Sequence, residues 1–365
     1  MAQDEKRLAS GSLGGFASGF GGNVAEAFAN QVDYCRKNGA PITARIVAAL
    51  AAVLDDPDAG AFLTRIREWQ GKPLADAVPL RAAGGIHALY QSGVEPSLAP
   101  IYAGEAADDA AIVGEVARRR ADDLMPWLDG PPQTNEAGRS SNFVAAMLWL
   151  AGQGLPGRFE CFEIGASAGI NLMLDRYRYD LGGVETGPEA AVMTFNPEWR
   201  GSPPPAEAIS FASLKGCDVA PVDLADPAQA QRLRAYIWPE HAERFARLDA
   251  AVAAAEERAP DLVKMNAADF VEQQLAAPQE EGVTRVLMHS IVMQYVPEDQ
   301  RERIGRAMEA AGEKASPEKP LAWIAVEADR TLLGHGVKVR YWPGGEQWHL
   351  LARSHAHGAW IEWLG

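Results

Sequence analysis

Apolar positions along the chain fall into two regimes. From Val24 to about Leu150 they recur at helical spacing: Ile42, Ile46, Val47, Leu50, Val53 and Leu54 share one face, Ile112 and Val116 repeat the pattern, and alanine is abundant. No alternating strand pattern interrupts this stretch. Turn signals at Gly39-Ala-Pro41, Asp55-Asp-Pro57, Gly93-Val-Glu-Pro96 and Gly130-Pro-Pro132 divide it into several helices. The spacing predicts an all-helical N-terminal domain over residues 1–150. From Phe159 onward, short apolar runs alternate with amphipathic segments. Strands are expected at Phe159–Ile164, Cys217–Leu224, Asp261–Met265, Thr284–Ser290 and Leu321–Glu327, with helices near 227–237, 239–257 and 298–313. Pro221 makes the second of these strands edge-like. Strand and helix in alternation are the signature of a doubly wound, mostly parallel α/β sheet, here over residues 151–365. The pattern changes at the end. Val337, Val339 and Tyr341 alternate, Gly344-Gly345 turns the chain, and Trp348, Leu350 and 360–364 continue as terminal antiparallel strands. The proline- and glycine-rich stretch 184–215 reads as an irregular insertion with room for a small hairpin.

The first apolar run, Phe159-Glu-Cys-Phe-Glu-Ile164, breaks into Gly165, Ser167 and Gly169 before resuming at Ile170-Asn171-Leu172. That is strand, tight turn, helix. A glycine-rich turn at the carboxyl end of a parallel strand lets a ligand approach backbone N–H groups. The same letters spell G-x-S-x-G, the turn that presents a nucleophilic serine. Just upstream, Gln133-Thr-Asn135-Glu136-Ala-Gly-Arg139-Ser-Ser-Asn142 crowds polar side chains into the entry of the apolar helix Phe143–Leu150. Capping accounts for one or two of these, so Gln133, Asn135, Glu136 and Arg139 are candidate substrate contacts and the segment is expected to face a pocket.

Charge narrows the partners. With 49 acidic against 34 basic side chains the 365-residue chain carries a formal charge of −15, which disfavours nucleic acid. Arg118-Arg119-Arg120 is flanked by Glu115, Asp122 and Asp123 and reads as a solvated helix face. Three widely spaced cysteines, Cys35, Cys161 and Cys217, suit neither a disulfide framework nor a zinc site and point to a reducing cytoplasm. Met1–Arg7 lacks the pattern of a signal peptide, and no run is long enough to span a membrane. The glycine-rich run 11–22 reads as a flexible terminus. No metal is expected: His355 and His357 share a strand face but lack a third ligand.

The helical first region, the acidic-x-Gly turn, the polar strand ends and the closing hairpin together resemble a class I S-adenosylmethionine-dependent methyltransferase. Glu163-x-Gly165-x-Ser167-x-Gly169 is similar to that superfamily's first motif, with serine in place of the middle glycine. The chain also resembles, over nearly its whole length, a bacterial family known as a domain of unknown function. The marks of that likeness are Gln133-Thr-Asn-Glu136-x-x-Arg139, Glu163–Asn171, Trp238-Pro239, His289-Ser290 with Gln294-Tyr295, and His357–Trp363. The methyltransferase resemblance implies a Rossmann-like fold, S-adenosylmethionine as cofactor and a small-molecule acceptor. It implies cofactor contacts from Glu163, Gly165, Ser167, Gly169 and Asn171, ribose contacts from Asp223, adenine contacts from Asn266 or Asp269, and a methyl-transfer side lined by His289, Ser290, Gln294 and Tyr295. His289 and Tyr295 are the catalytic candidates. Asp223 lies well beyond the roughly 20-residue spacing usual after such a turn, so the insertion must loop out. The short link 328–336 leaves no room for a helical crossover, so the terminal topology is expected to differ from the superfamily's.

Two other classes remain open. A serine hydrolase would use Ser167 as nucleophile with Asp269 and a histidine among His349, His355 and His357. A non-catalytic protein would keep the fold and only bind or sense, using the helical domain as its interaction surface.

Overall fold

The computed structural model describes residues 22–58, 60–329 and 334–365; the terminus through residue 21, and with it nearly all of the glycine-rich run, lies outside the described residues. The protein is an α/β chain with a large, mostly parallel sheet and an N-terminal helical region. It divides into two compact units. One holds the described residues up to Gln133 together with Gln231–Ala242; the other holds Thr134–Ala230 and Glu243–Gly365. The division therefore falls at Gln133/Thr134 rather than near 150, and a second passage of the chain returns to the helical unit.

The helical unit contains α1 (Val24–Lys37), α2 (Pro41–Ala52), α3 (Gly60–Arg67), α4 (Val78–Gln91), the short α5 (Ala99–Tyr102), α6 (Asp109–Arg119) and the short α7 (Ala121–Leu124). Asn23 caps α1 by accepting the Glu26 N–H, and Asp108 caps α6 by accepting that of Ala111. The apolar stripe read from the sequence is the core: Phe28, Ile46, Leu50, Phe62, Leu63, Ile66, Ile86 and Val113 are all fully buried, and Trp238 of the returning segment joins them. Glu240, two residues on, accepts the N–H groups of Ile42 and Thr43, so a residue distant in sequence caps α2. Gly84 and Gly85 are glycines for packing reasons: an added Cβ would lie 2.6 Å from Tyr236 and 2.7 Å from Leu124.

In the other unit α8 (Ser140–Gly152) leads into β1 (Arg158–Ile164), the centre of the sheet. The following chain supplies β2 (Tyr177–Leu181), β3 (Val184–Thr186), β4 (Met193–Phe195), β5 (Glu198–Arg200) and β6 (Ser210–Asp218). Next come α9 (Pro227–Ala235), α10 (Ala242–Glu257), β7 (Asp261–Lys264), α11 (Ala267–Ala276), β8 (Thr284–Ser290), α12 (Glu298–Gly312) and β9 (Leu321–Ala328). The chain ends with β10 (His335–Trp342), β11 (Gly345–Ser354) and β12 (Trp360–Trp363). Among the described residues the main sheet runs β5-β12-β11-β10-β9-β8-β1-β6-β7. Strands β7, β6, β1, β8 and β9 are mutually parallel, and β10 to β12 form the antiparallel meander foreseen. Every residue of β8 and all but the last of β9 are buried, as strands covered on both faces require.

Three expectations change. The insertion is more ordered than its composition implied: β2, β3 and β4 form a separate three-stranded sheet, and β5 joins the far edge of the main one beside β12. The second parallel strand is Ser210–Asp218, not Cys217–Leu224; it pairs with β1 from Arg158↔Ser210 to Ile164↔Cys217, and the chain leaves the sheet before Pro221. The segment after the glycine turn is a 3₁₀ helix, Ile170–Arg176, instead of an α-helix. Side chains take the carbonyls an α-helix would use internally: the hydroxyls of Tyr177 and Tyr179 donate to the C=O groups of Ile170 and Leu174. No helix among the described residues is long and apolar enough to cross a membrane.

Candidate functional site at the strand carboxyl ends

The chain winds outward from β1 on both sides, through β6 and β7 in one direction and through β8 and β9 in the other. The order reverses between β1 and β8, and in open α/β sheets such a reversal opens a crevice beyond the carboxyl ends. Backbone strain collects there. Ser167, just past β1, and Ile291, just past β8, are non-glycine residues in the left-handed region, with φ of 54° and 53°. For a β-branched residue that conformation is a true outlier, sustained only when surroundings over-determine it.

At Ser167 the surroundings are Asp218 and Val222. The Ser167 N–H donates to Asp218 Oδ2 at 2.8 Å, and the Ser167 carbonyl accepts the Val222 N–H at 3.0 Å. Asp218 is therefore the acid at the end of the second parallel strand. Asp223, assigned that place from the sequence, is exposed and turned into its own loop, accepting the Ala225 N–H. Three further donors of the turn are engaged: Ala166 to the Cys217 carbonyl, Gly169 to the Ala166 carbonyl, and Ile170 to Asn135 Oδ1 at 2.9 Å. The space above the glycines is filled by protein. A Cβ on Gly165 would meet Val292 at 2.1 Å, and one on Gly169 would meet Pro260 at 2.7 Å. The expected open approach of a ligand to Gly165, Ser167 and Gly169 is thus taken by the chain itself. Ser167 Oγ is buried and has no hydrogen-bond partner among the described residues, a histidine base included.

Glu163 sits one residue before the end of β1 and is 1% exposed. Its Oε1 accepts a 3.3 Å hydrogen bond from Asn171 Nδ2, while Oε2 and Asn171 Oδ1 are buried with no donor. Burial pushes the Glu163 carboxyl up to about 8, against the smaller opposing pulls of Asn171 and the Arg139 charge. Asn142 Oδ1, on the first turn of α8, is a third buried acceptor without a donor. Native proteins rarely leave such atoms unpaired, so each of these acceptors can take a donor from water or from a ligand.

On the other side of the switch point His289 and Glu327 close β8 and β9. His289 is fully buried, and both ring nitrogens are used. The Trp323 indole N–H donates to its Nε2 at 2.9 Å, and because indole can only donate, the imidazole proton resides on Nδ1. That proton goes to Glu327 Oε1 at 2.7 Å, which also accepts the N–H groups of Val292 and Met293 at 3.2 and 3.3 Å. The left-handed turn at Ile291 aims those two N–H groups at one carboxylate oxygen, a small backbone nest. His289, expected as an acid–base group, is instead the neutral support of Glu327.

The polar segment before α8 belongs to this end. Glu136 is buried and bonds Arg244 Nε at 2.6 Å, Arg247 Nη1 at 3.3 Å and the Gly138 N–H, so its partners are on α10 and not Arg139. Arg139 donates from Nε to the Ala356 carbonyl and from Nη1 to that of Thr134. Gln133 is half-buried and closes the helical unit. Elsewhere the candidates disperse. Asn266 caps α11, its Oδ1 accepting the Asp269 N–H, and exposed Asp269 pairs with Arg303 at 2.7 Å. The serine-hydrolase set is therefore not assembled. Ser290 is buried at the last position of β8, whereas Gln294 and Tyr295 are exposed. A recess of about 380 Å³ between α11 and α12 lies at the amino ends of β8 and β9, away from these groups; its Arg285 is held by Glu160 and two carbonyls.

Asp218, Trp323 and Glu327 were not singled out from the sequence. The only signal for Glu327 was a carboxylate closing an apolar run; for Asp218 it was an acid just before Val219-Ala-Pro221.

A family model described as uncharacterized protein conserved in bacteria (DUF2332) matches residues 25–363. The chain belongs to the DUF2332 family. No curated protein and no solved structure matches it. The family assignment covers both units and attaches no reaction to the carboxyl-end site.

Tested against that site, S-adenosylmethionine fits in part. Its ammonium matches the donor-less acceptors Glu163 Oε2 and Asn171 Oδ1. The acid at the ribose position, Asp218, already accepts one backbone N–H on each oxygen, from Ser167 and Ala220.

Proposed function

We propose that this DUF2332 member is a Rossmann-like small-molecule transferase of the methyltransferase type, holding S-adenosylmethionine by its amino-acid end. The observation that carries the reading is Glu163: a buried carboxyl beside the switch point, with one oxygen lacking any donor. Glu163 and Asn171 would hold the ammonium. The cofactor, when bound, supplies an electrophilic methyl carbon; the chain's part is to orient the ligand and exclude water. An ammonium beside Glu163 favours the ionised carboxyl, so binding at neutral pH releases a proton.

Calorimetry in buffers of differing ionisation enthalpy tests this. S-adenosylmethionine and S-adenosylhomocysteine should bind with a proton released at pH 7, and Glu163→Gln should abolish the release. No binding of either at millimolar concentration would remove the reading.

A further inference from the structure

Arg139 and Glu327 are opposite charges, 5% and 9% exposed, that do not pair. Neither is idle. The Arg139 guanidinium is pinned by the carbonyls of Thr134 and Ala356, one on each flank, and its Nη2 has no partner among the described residues. The acid nearest in sequence, Glu136, is taken by Arg244 and Arg247. Glu327 is pinned through Oε1 by three N–H donors, and its Oε2 has no partner among the described residues. Arg139 ends the 3₁₀ turn Ala137–Arg139 and bonds Ala356, just past β11. Glu327 of β9 pairs in register with Gly336 of β10, and the residue before it, His335, pairs with Ser354 of β11, two residues before Ala356, so the register brings the two toward one end of the sheet. Burial lowers the Arg139 guanidinium to about 10, offset first by the charge of Glu136 and then by those of Glu327 and Glu163.

A buried guanidinium without a counter-ion costs several kcal/mol, and the simple remedy, closure onto Glu327, is prevented by the bonds that hold both side chains. What remains is a donor nitrogen, Arg139 Nη2, on one side chain and an acceptor oxygen, Glu327 Oε2, on the other, each without a partner among the described residues. A group carrying both charges satisfies both ends at once, whereas a lone amine or a lone acid leaves one unpaired. We propose that Arg139 and Glu327 form a split charge pair that binds the zwitterionic head of a free α-amino acid, the substrate class of this site. The carboxylate would take Arg139 Nη2 and the ammonium Glu327 Oε2, with His289 and Trp323 as positioning residues for the carboxylate. The proposal rests on reading the carboxyl ends as the binding face, and it is separable from the cofactor.

The test uses the full chain and thermal-shift and calorimetric titration with the L-α-amino acids, each beside its decarboxylated amine and its deaminated acid. At least one amino acid should bind at least tenfold more tightly than both of its analogues. Glu327→Gln, which keeps an acceptor for His289, and Arg139→Lys, which keeps the charge but loses the fork, should each weaken it tenfold or more. Arg139→Gln is the stronger variant where near-UV circular dichroism shows a native fold. Amines or acids binding as well as the amino acids, unaltered binding in Glu327→Gln, or no amino acid binding at 10 mM would each overturn the proposal. So would displacement by S-adenosylmethionine but not by methylthioadenosine, since the pair would then be the cofactor's own subsite. Amino-acid binding without S-adenosylmethionine binding would leave this proposal standing and remove the methyltransferase reading.

Discussion

The ends of β1 and β8 stand side by side and carry the same kind of strain, yet they differ in how the strain is used. After β1, left-handed Ser167 sits in a glycine-rich turn in which Asp218 and Asn135 take the N–H groups of Ser167 and Ile170, and Val292 and Pro260 lie over its glycines. After β8, left-handed Ile291 turns two N–H groups onto a charged oxygen of Glu327, whose other oxygen is left over. The first is a conspicuous motif that has become packing. The second has no motif and is an arrangement of unspent charge. A motif reports what backbone a stretch can adopt, whereas chemistry depends on which polar atoms are left after folding.

The sharpest way to break this contrast is Gly165→Ala. The new methyl would meet Val292 and require a left-handed φ of 64°, so a loss of more than about 3 kcal/mol in denaturant unfolding is expected. Adding Val292→Ala should recover part of it; a turn shaped by ligand approach alone would show no such coupling. Next is Glu327→Ala, which strands the buried His289 N–H and two backbone N–H groups and should cost about 3 kcal/mol, while Glu327→Gln costs about 1. Equal losses for the two would mean that Oε1 is not the shared acceptor.

Glu163→Gln has a pH signature. The folded carboxyl, raised from about 4.5 to about 8, binds more protons than the unfolded one between those values. Stability from this group is thus fully present below about pH 4.5, declines as pH rises, and is lost above about 8. The glutamine variant should match the parent near pH 4.5 and exceed it by on the order of 5 kcal/mol at pH 8.5. Parallel stability curves would show that Glu163 is not held neutral. The smallest effect is Ser167→Gly. Its hydroxyl has no partner to lose and glycine relieves the left-handed φ, so a gain of about 0.5–1 kcal/mol is expected. A loss would mean that Oγ has a role in the fold.

Much of the architecture was legible because burial imposes period. From the stripe, Ile46, Val47 and Leu50 became core of the helical unit while Ile42 stays at its edge, and the unbroken run Thr284–Ser290 became a strand buried along its whole length. The short link after Ala328 correctly implied a direct antiparallel neighbour, although residues 330–333 within it lie outside the described residues. Pro221 correctly argued against a central strand, but the strand lay before it. In the polar segment 133–142, Glu136 and Arg139 are both buried, and Glu136 also caps the turn Ala137–Arg139. Glu136 meets arginines of α10, more than a hundred residues later, which no local spacing announces.

The sequence by itself determined the elements, their alternation and the turn after β1, since each depends on local spacing of apolar side chains, glycines and prolines. Only the tertiary structure decided which charges are spent. Whether Asp218 or Asp223 reaches the turn, whether His289 is a base or a support, and whether Arg139 finds a carboxylate depend on contacts between residues tens to hundreds apart. Hydrogen bonds and ion pairs form within a few ångströms in space with no fixed spacing along the chain, so their pattern becomes readable only once the strands are side by side.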